Sequence, residues 1–236
     1  MTLAGAVGPS VPADVAGLAV SGTSLFYASY SGTTVHSVPL SGGTPSPFAS
    51  GQNRPFDVAI YGANLYWSNY QSGAIASKPL AGGAVSAVSS SPGFATWIAV
   101  DTANVYWLDG NVNKAVRTGG PAVVLSVAHS LHLVGLAVDA QYVYWGDTDL
   151  GVIRKAPIAG GAEVTLASGS YAPADLAVDG TYVYWTDSDA VMKIPITGGS
   201  VTTVASGLNA PRGIAVDATH VYVASYGDAA ILQMPK

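Results

Sequence analysis

Apolar residues along this chain fall in short runs of strand length, and the runs recur at a nearly fixed spacing. The clearest is Leu176-Ala177-Val178-Asp179-Gly180-Thr181-Tyr182-Val183-Tyr184-Trp185. Altered copies begin at Leu18, Val58, Ile98, Leu136 and Ile214, so the six are separated by 40, 40, 38, 40 and 38 residues. A period near forty built from β-type runs predicts an all-β, six-bladed β-propeller with one repeat per blade. Within the fifth copy the pattern predicts four antiparallel strands: 175–178 (a), 182–186 (b), 191–196 (c) and 200–205 (d). The repeat runs end to end, which predicts a single domain over residues 1–236.

The punctuation of each repeat follows from turn chemistry. Asp179 opens a tight a–b turn that its own side chain can close. The pairs Gly42-Gly43, Gly82-Gly83, Gly119-Gly120, Gly160-Gly161 and Gly198-Gly199 stand between strands c and d, where they are expected to form two-residue hairpins requiring positive φ. The sixth repeat reaches Met234-Pro235-Lys236 after its third strand, while Thr2-Leu3-Ala4-Gly5 resembles the strand d sequence Thr165-Leu166-Ala167-Ser168-Gly169. The N-terminal strand is therefore expected to complete the last blade, which removes an open sheet edge. The Ala-Val/Ile pair of strand a should lie innermost. The pairs Tyr66-Trp67, Tyr106-Trp107, Tyr144-Trp145 and Tyr184-Trp185 should wedge between neighbouring sheets, because consecutive strand residues face opposite sides.

Composition narrows the function classes. Lys and Arg number 9 against 14 Asp and Glu, a net charge of −5, with no basic stripe of the kind nucleic-acid binding needs. There is no cysteine, which removes disulfides, thiolate zinc sites and thiol catalysis. No apolar run approaches the roughly 18 residues of a membrane span. No signal peptide is visible at the N-terminus, although removal of a leader would leave the same picture. A monomer is expected.

Tyr184-Trp185-Thr186-Asp187 is a YWTD sequence. Its altered forms are Tyr66-Trp67-Ser68-Asn69, Tyr106-Trp107-Leu108-Asp109, Tyr144-Trp145-Gly146-Asp147, Phe26-Tyr27-Ala28-Ser29 and Tyr222-Val223-Ala224-Ser225. The chain thereby resembles the six-bladed YWTD propellers of low-density-lipoprotein-receptor-like proteins. Residues 42–70 are also similar to secreted or lipoprotein-type bacterial repeat proteins common in myxobacteria. The resemblance implies the propeller fold, an extracytoplasmic setting and partner binding, and it is confined to the propeller repeats.

The repeat is also an internal alignment against which single residues become unusual. Immediately before strand a stand Ala16-Gly17, Phe56-Asp57, Thr96-Trp97, Val134-Gly135, Ala174-Asp175 and Arg212-Gly213. Trp97 is the one tryptophan outside the Tyr-Trp pattern, and it reads either as a stacking platform at a channel mouth or as a filler of space left by small neighbours. The b–c loops contribute Tyr30, Tyr70 and Tyr226 in blades 1, 2 and 6, whereas blades 3 to 5 carry Asp109, Asp147, Asp149, Asp187 and Asp189. Arg54 and Arg212 fall near the tyrosine set. The expected ligand-binding set is Trp97, Phe56, Tyr30, Tyr70, Tyr226, Arg54 and Arg212, suited to a small polar ligand, a glycan or a peptide. No catalytic residue and no required cofactor is expected in this reading. The alternative is a calcium-assisted hydrolase resembling lactonase and phosphotriesterase propellers, with Asp57 and Asp175 as ligands and Asn209 as a further donor. It lacks the glutamate such sites use, since the one glutamate, Glu163, lies in an outer strand. His129 and His132 lie in the blade 3–4 connection with no nucleophile elbow nearby.

Overall fold

The computed structural model describes residues 14–91, 93–127, 130–169 and 172–236, and every regular element among them is a β-strand. Blade 1 is β1 (Val15–Ser21), β2 (Ser24–Ser29), β3 (Val35–Pro39) and β4 (Ser46–Ala49). Blade 2 is β5 (Pro55–Tyr61), β6 (Asn64–Asn69), β7 (Ala74–Pro79) and β8 (Ser86–Ser90). Blade 3 is β9 (Ile98–Val100), β10 (Asn104–Leu108), β11 (Val112–Val116) and β12 (Val123–Ser126). Blade 4 is β13 (Leu133–Val138), β14 (Tyr142–Asp147), β15 (Val152–Pro157) and β16 (Val164–Ser168). Blade 5 is β17 (Asp175–Val178), β18 (Tyr182–Thr186), β19 (Val191–Pro195) and β20 (Thr202–Ala205), and β21 (Pro211–Val216), β22 (His220–Ser225) and β23 (Ala230–Pro235) form the sixth sheet. Strands follow chain order across each sheet, a simple antiparallel meander repeated six times. The sixth sheet shows three strands among the described residues, and the expected N-terminal completing strand lies outside them. No helix among the described residues is long and apolar enough to cross a membrane.

The described residues form two compact units, 14–124 with blades 1 to 3 and 125–236 with blades 4 to 6, the division falling inside β12. In the first unit β1 packs on β5 and β5 on β9; in the second β13 packs on β17 and β17 on β21. Within each unit strand a is thus a strand that meets the neighbouring blade, as its small Ala-Val pairs anticipate.

The Tyr-Trp pairs explain how the blades cohere. Trp67, Trp107, Trp145 and Trp185 are at most 2% exposed. Tyr66 shares a core with Ile98, Val105 and Trp107 of the next blade, and Tyr144 with Leu176, Val183 and Trp185. Alternation along the strand sends one aromatic to each side of its sheet, so the blade 2–3 and blade 4–5 seams each receive a Tyr from one side and a Trp from the other. Phe26 instead meets Trp67 between blades 1 and 2, and Tyr184 meets Val223 between blades 5 and 6.

Turn chemistry is mostly as the sequence implies. Asp101, Asp139, Asp179 and Asp217 each accept two backbone N–H groups of their turn through Oδ1. Their Oδ2 atoms accept the hydroxyls of Tyr106, Tyr144, Tyr184 and Tyr222. Burial and then Asp101 push the Tyr106 phenol above its ordinary range. The Gly-Gly segments differ from the expected two-residue hairpins. In four blades the first glycine donates to the carbonyl of the proline ending strand c, as Gly42 does to Pro39 at 3.0 Å, and several residues follow before strand d. The proline ends the ladder early because it has no N–H to donate, so the turn begins there.

Candidate ligand-binding site

The site begins with a β-bulge. Pro55 pairs with Asn69 and Val58 with Trp67, so Phe56 and Asp57 together oppose the single residue Ser68. Such a bulge bends the strand and re-aims the extra side chains. Arg54 just before it adopts φ 56°, and its carbonyl accepts the Tyr70 N–H at 2.9 Å. The entry of strand a and the b–c loop are thereby tied together, which places Arg54, Phe56 and Tyr70 side by side.

Neighbouring blades add to this group. Tyr30 lies edge-on to Phe56 and Tyr70, with ring centroids 5.7 and 5.4 Å apart. Phe56 and Tyr70 stack at 6.1 Å, and Trp97 meets Phe56 edge-on at 5.8 Å. The Arg54 guanidinium sits 4.2 Å from the Tyr30 ring centroid and 5.3 Å from that of Tyr70, and its Nε donates to the Tyr30 carbonyl. Cation–π contact and aromatic packing hold this arginine in place while its terminal amino groups stay available to a ligand. Five of the seven residues expected to bind ligand therefore form one continuous cluster across blades 1 to 3. The remaining two form a pair in the second unit, where the Arg212 guanidinium lies 5.1 Å from the ring of Tyr226.

Sequence reasoning missed Phe94. It stacks on Tyr70 at 4.9 Å with an interplanar angle of 16°, and it is 58% exposed. Its signal was that of another aromatic outside the repeat, three residues before Trp97, but it lies in an irregular stretch that the alignment does not cover.

Asp57 and Asp175, the expected metal ligands of the alternative reading, have a different geometry. Asp57 Oδ1 accepts its neighbour Val58 N–H at 2.8 Å, and Oδ2 accepts the Ile98 N–H of blade 3 at 3.0 Å. Ser68 Oγ donates to the Thr96 carbonyl of the same blade. Asp175 repeats the arrangement in the second unit, accepting from Leu176 at 2.8 Å and from Ile214 at 3.1 Å, while Thr186 donates to the Arg212 carbonyl. Each aspartate is a staple joining its blade to the next. Burial pushes the Asp57 carboxyl up to about 7, outweighing the two N–H bonds that favour its ionised form. Among the described residues no group of three or more His, Asp or Glu is placed to hold a metal ion.

The other acidic candidates cap turns. Asp109 Oδ1 accepts from Asn111 N and from Asn113 Nδ2, Asp147 Oδ1 from Ser130 Oγ and Leu150 N, and Asp187 Oδ1 from Ala172 N and Ser188 N. Asp149 pairs with His132 Nδ1 at 2.8 Å on an exposed surface. Glu163 pairs with Arg154 and Ser126, consistent with its outer-strand position. Asn209 donates to Asp228 at 3.2 Å. His129 lies outside the described residues.

Solved structures place this architecture among known folds. A chain of the nidogen/laminin complex is similar with a TM-score of 0.73 at 18% identity, over 90% of this chain and 88% of that one. A streptogramin B lyase is similar with a TM-score of 0.80 at 12% identity, over 97% and 85%. An H270A virginiamycin B lyase from Staphylococcus aureus with quinupristin gives 0.63 at 10% identity, over 100% and 98%. The fold is a six-bladed β-propeller. No family model and no curated protein matches the chain. The neighbours include both a component of a protein–protein complex and enzymes, and at these identities the likeness concerns the fold alone.

Proposed function

We propose that this protein is a non-catalytic binding propeller whose ligand, a small polar molecule, glycan or peptide, seats on the cluster of Tyr30, Arg54, Phe56, Tyr70 and Trp97. The observation that carries the reading is the convergence itself. These residues depart from the repeat, come from three different blades, and lie in mutual ring or cation–π contact. Aromatic faces with one arginine supply apolar area plus a directional donor, the composition of binding surfaces. Arg212 beside Tyr226 offers the same chemistry in the second unit. The neighbours, a chain of a protein complex and two lyases, share the fold alone, so the reading rests on the cluster. We propose an extracytoplasmic setting on the YWTD-type sequences, and a monomer.

The test is a paired glycan-array and peptide-array screen of the native protein and of the double variant Trp97→Ala, Tyr70→Ala. Binding to the native protein's ligands is expected to weaken by about 100-fold or more, since central aromatic anchors often cost upward of 2 kcal/mol each on truncation. Unchanged binding to every ligand found overturns the assignment.

A further inference from the structure

A cleft of about 430 Å³ lies between blades 2 and 3, lined by Ser90, Ser91, Gly93, Asp109, Asn113 and Val124 among others. Its volume falls in the range of small-molecule sites, roughly 300–1,000 Å³. None of these residues belongs to the aromatic cluster, yet the two features are continuous along the chain. Gly93 lines the cleft, and the next residue, Phe94, stacks on Tyr70. A side chain at position 93 would bring its Cβ to 2.5 Å from the Asp109 carbonyl oxygen, so glycine is needed for the segment to pass this close.

The polar atoms of the cleft define what it would accept. Asn113 is 2% exposed and donates through Nδ2 to Asp109 Oδ1 at 2.7 Å. Asp109 Oδ2 and Asn113 Oδ1 have no hydrogen-bond donor among the described residues, so both remain acceptors. Ser91 Oγ receives the Trp107 Nε1–H at 3.2 Å, which leaves its own hydroxyl proton to donate. Ala122 and Val124 supply an apolar wall. A hard cation would require six or more converging oxygens with several charges, and here one carboxylate is already engaged by an asparagine and a backbone N–H. A nucleotide or other phosphate would meet that carboxylate without a cation lining the cleft. A sugar residue fits: its hydroxyls donate to Asp109 and Asn113 and accept from serine, while its C–H surface lies on the alanine and valine.

We propose that this cleft is a saccharide subsite, and that with the neighbouring Phe94–Tyr70 stack it makes the ligand a neutral oligosaccharide of at least two residues. The proposal rests on the reading of the aromatic cluster as a ligand platform. One sugar stacks on the aromatic faces, and the next inserts its hydroxyls beside Asp109 and Asn113. The arrangement divides the work between apolar stacking and directional hydrogen bonds donated by the sugar to a preformed acceptor pair.

Titration calorimetry with neutral gluco-, manno- and N-acetylglucosamine oligosaccharides of one to six units tests it. The native protein is expected to bind at least one series, with affinity rising about tenfold or more once a second unit can enter the cleft. Asn113→Ala should remove that length-dependent gain. Because Asn113 is buried and its loss could perturb folding, Ser90→Trp provides a second variant that fills the cleft from an exposed strand position; it too should abolish the gain. A native protein that binds no series, or variants that keep the full gain, overturns the saccharide subsite. If Trp97→Ala, Tyr70→Ala leaves oligosaccharide affinity unchanged, the platform reading fails instead.

Discussion

Replacing Asp57 with alanine is expected to lower the unfolding free energy by about 2–5 kcal/mol, because two backbone N–H groups lose their acceptor in a densely packed seam. In a chain of this length that corresponds to a fall in melting temperature on the order of 10 °C. The staple joins blades 2 and 3 through the Ile98 N–H, while its other oxygen fixes Val58 at the start of its own strand. Asp149, a carboxylate on an exposed surface, provides the comparison, and Asp149→Ala should change stability by no more than about 0.5 kcal/mol. The effect also carries a pH signature. In the folded protein the Asp57 carboxyl keeps its proton up to about 7, whereas an unfolded aspartate loses it near the ordinary carboxylate value of 3.8. Between those values the folded state binds more protons than the unfolded state, so stability should decline as pH rises from about 4 to about 7 and then level off. The contribution is full below the unfolded value and lost as pH passes the folded one. The cost of Asp57→Ala should accordingly be larger at pH 5 than at pH 8. Denaturant melts at the two pH values check this, and a cost equal at both contradicts it.

Gly135→Ala is the second large effect expected. Gly135 has φ 54°, and a Cβ there would lie 2.7 Å from the Leu176 N and 3.1 Å from the Asp175 Cα of the next blade. Both partners are backbone, which cannot swing aside as a side chain end can, so the seam itself must open. Gly22 has nearly the same φ, 55°, but nothing within 4 Å of its would-be Cβ. Gly22→Ala therefore carries only the backbone strain, about 1 kcal/mol, and Gly135→Ala should exceed it by about 2 kcal/mol or more. Chemical denaturation of the two variants side by side isolates the inter-blade term. Equal costs would show that the close approach at Gly135 matters little.

These two residues also show where the sequence is legible and where it is not. The repeat alone yields blade number, strand order, the wedging Tyr-Trp pairs and the Asp-closed turns, because all of these depend on contacts within a single blade or on strand alternation. The Asp57 and Asp175 staples depend on partners 41 and 39 residues away in the next blade, where the acceptor's role is invisible to the blade's own pattern. In isolation an unpaired acidic residue at a strand entry reads as a metal ligand. A clue was present in the alignment: glycine occupies the matching position one blade earlier, at 17 and 135, because the carboxylate-bearing strand passes too close for a Cβ. The aromatic cluster was legible for the opposite reason, since Phe56, Tyr70 and Trp97 violate a pattern that is otherwise obeyed. Phe94 escaped because the positions compared begin at Thr96; it stands two residues earlier, in register with Arg54 of blade 2. The polar cleft escaped because Asn113 and Asp109 are ordinary residues for a strand and a turn, and only the folded seam encloses the space beside them.

The aromatic cluster can be interrogated directly through its own indole. Trp97 is half-buried, whereas the other four tryptophans are at most 2% exposed within the blade seams. A ligand drawn from the glycan and peptide arrays and titrated into the native protein should change the tryptophan emission saturably. The change should follow the same affinity as calorimetry and disappear in Trp97→Phe. A ligand that binds by calorimetry yet leaves the emission unchanged, or changes it equally in Trp97→Phe, contradicts the account.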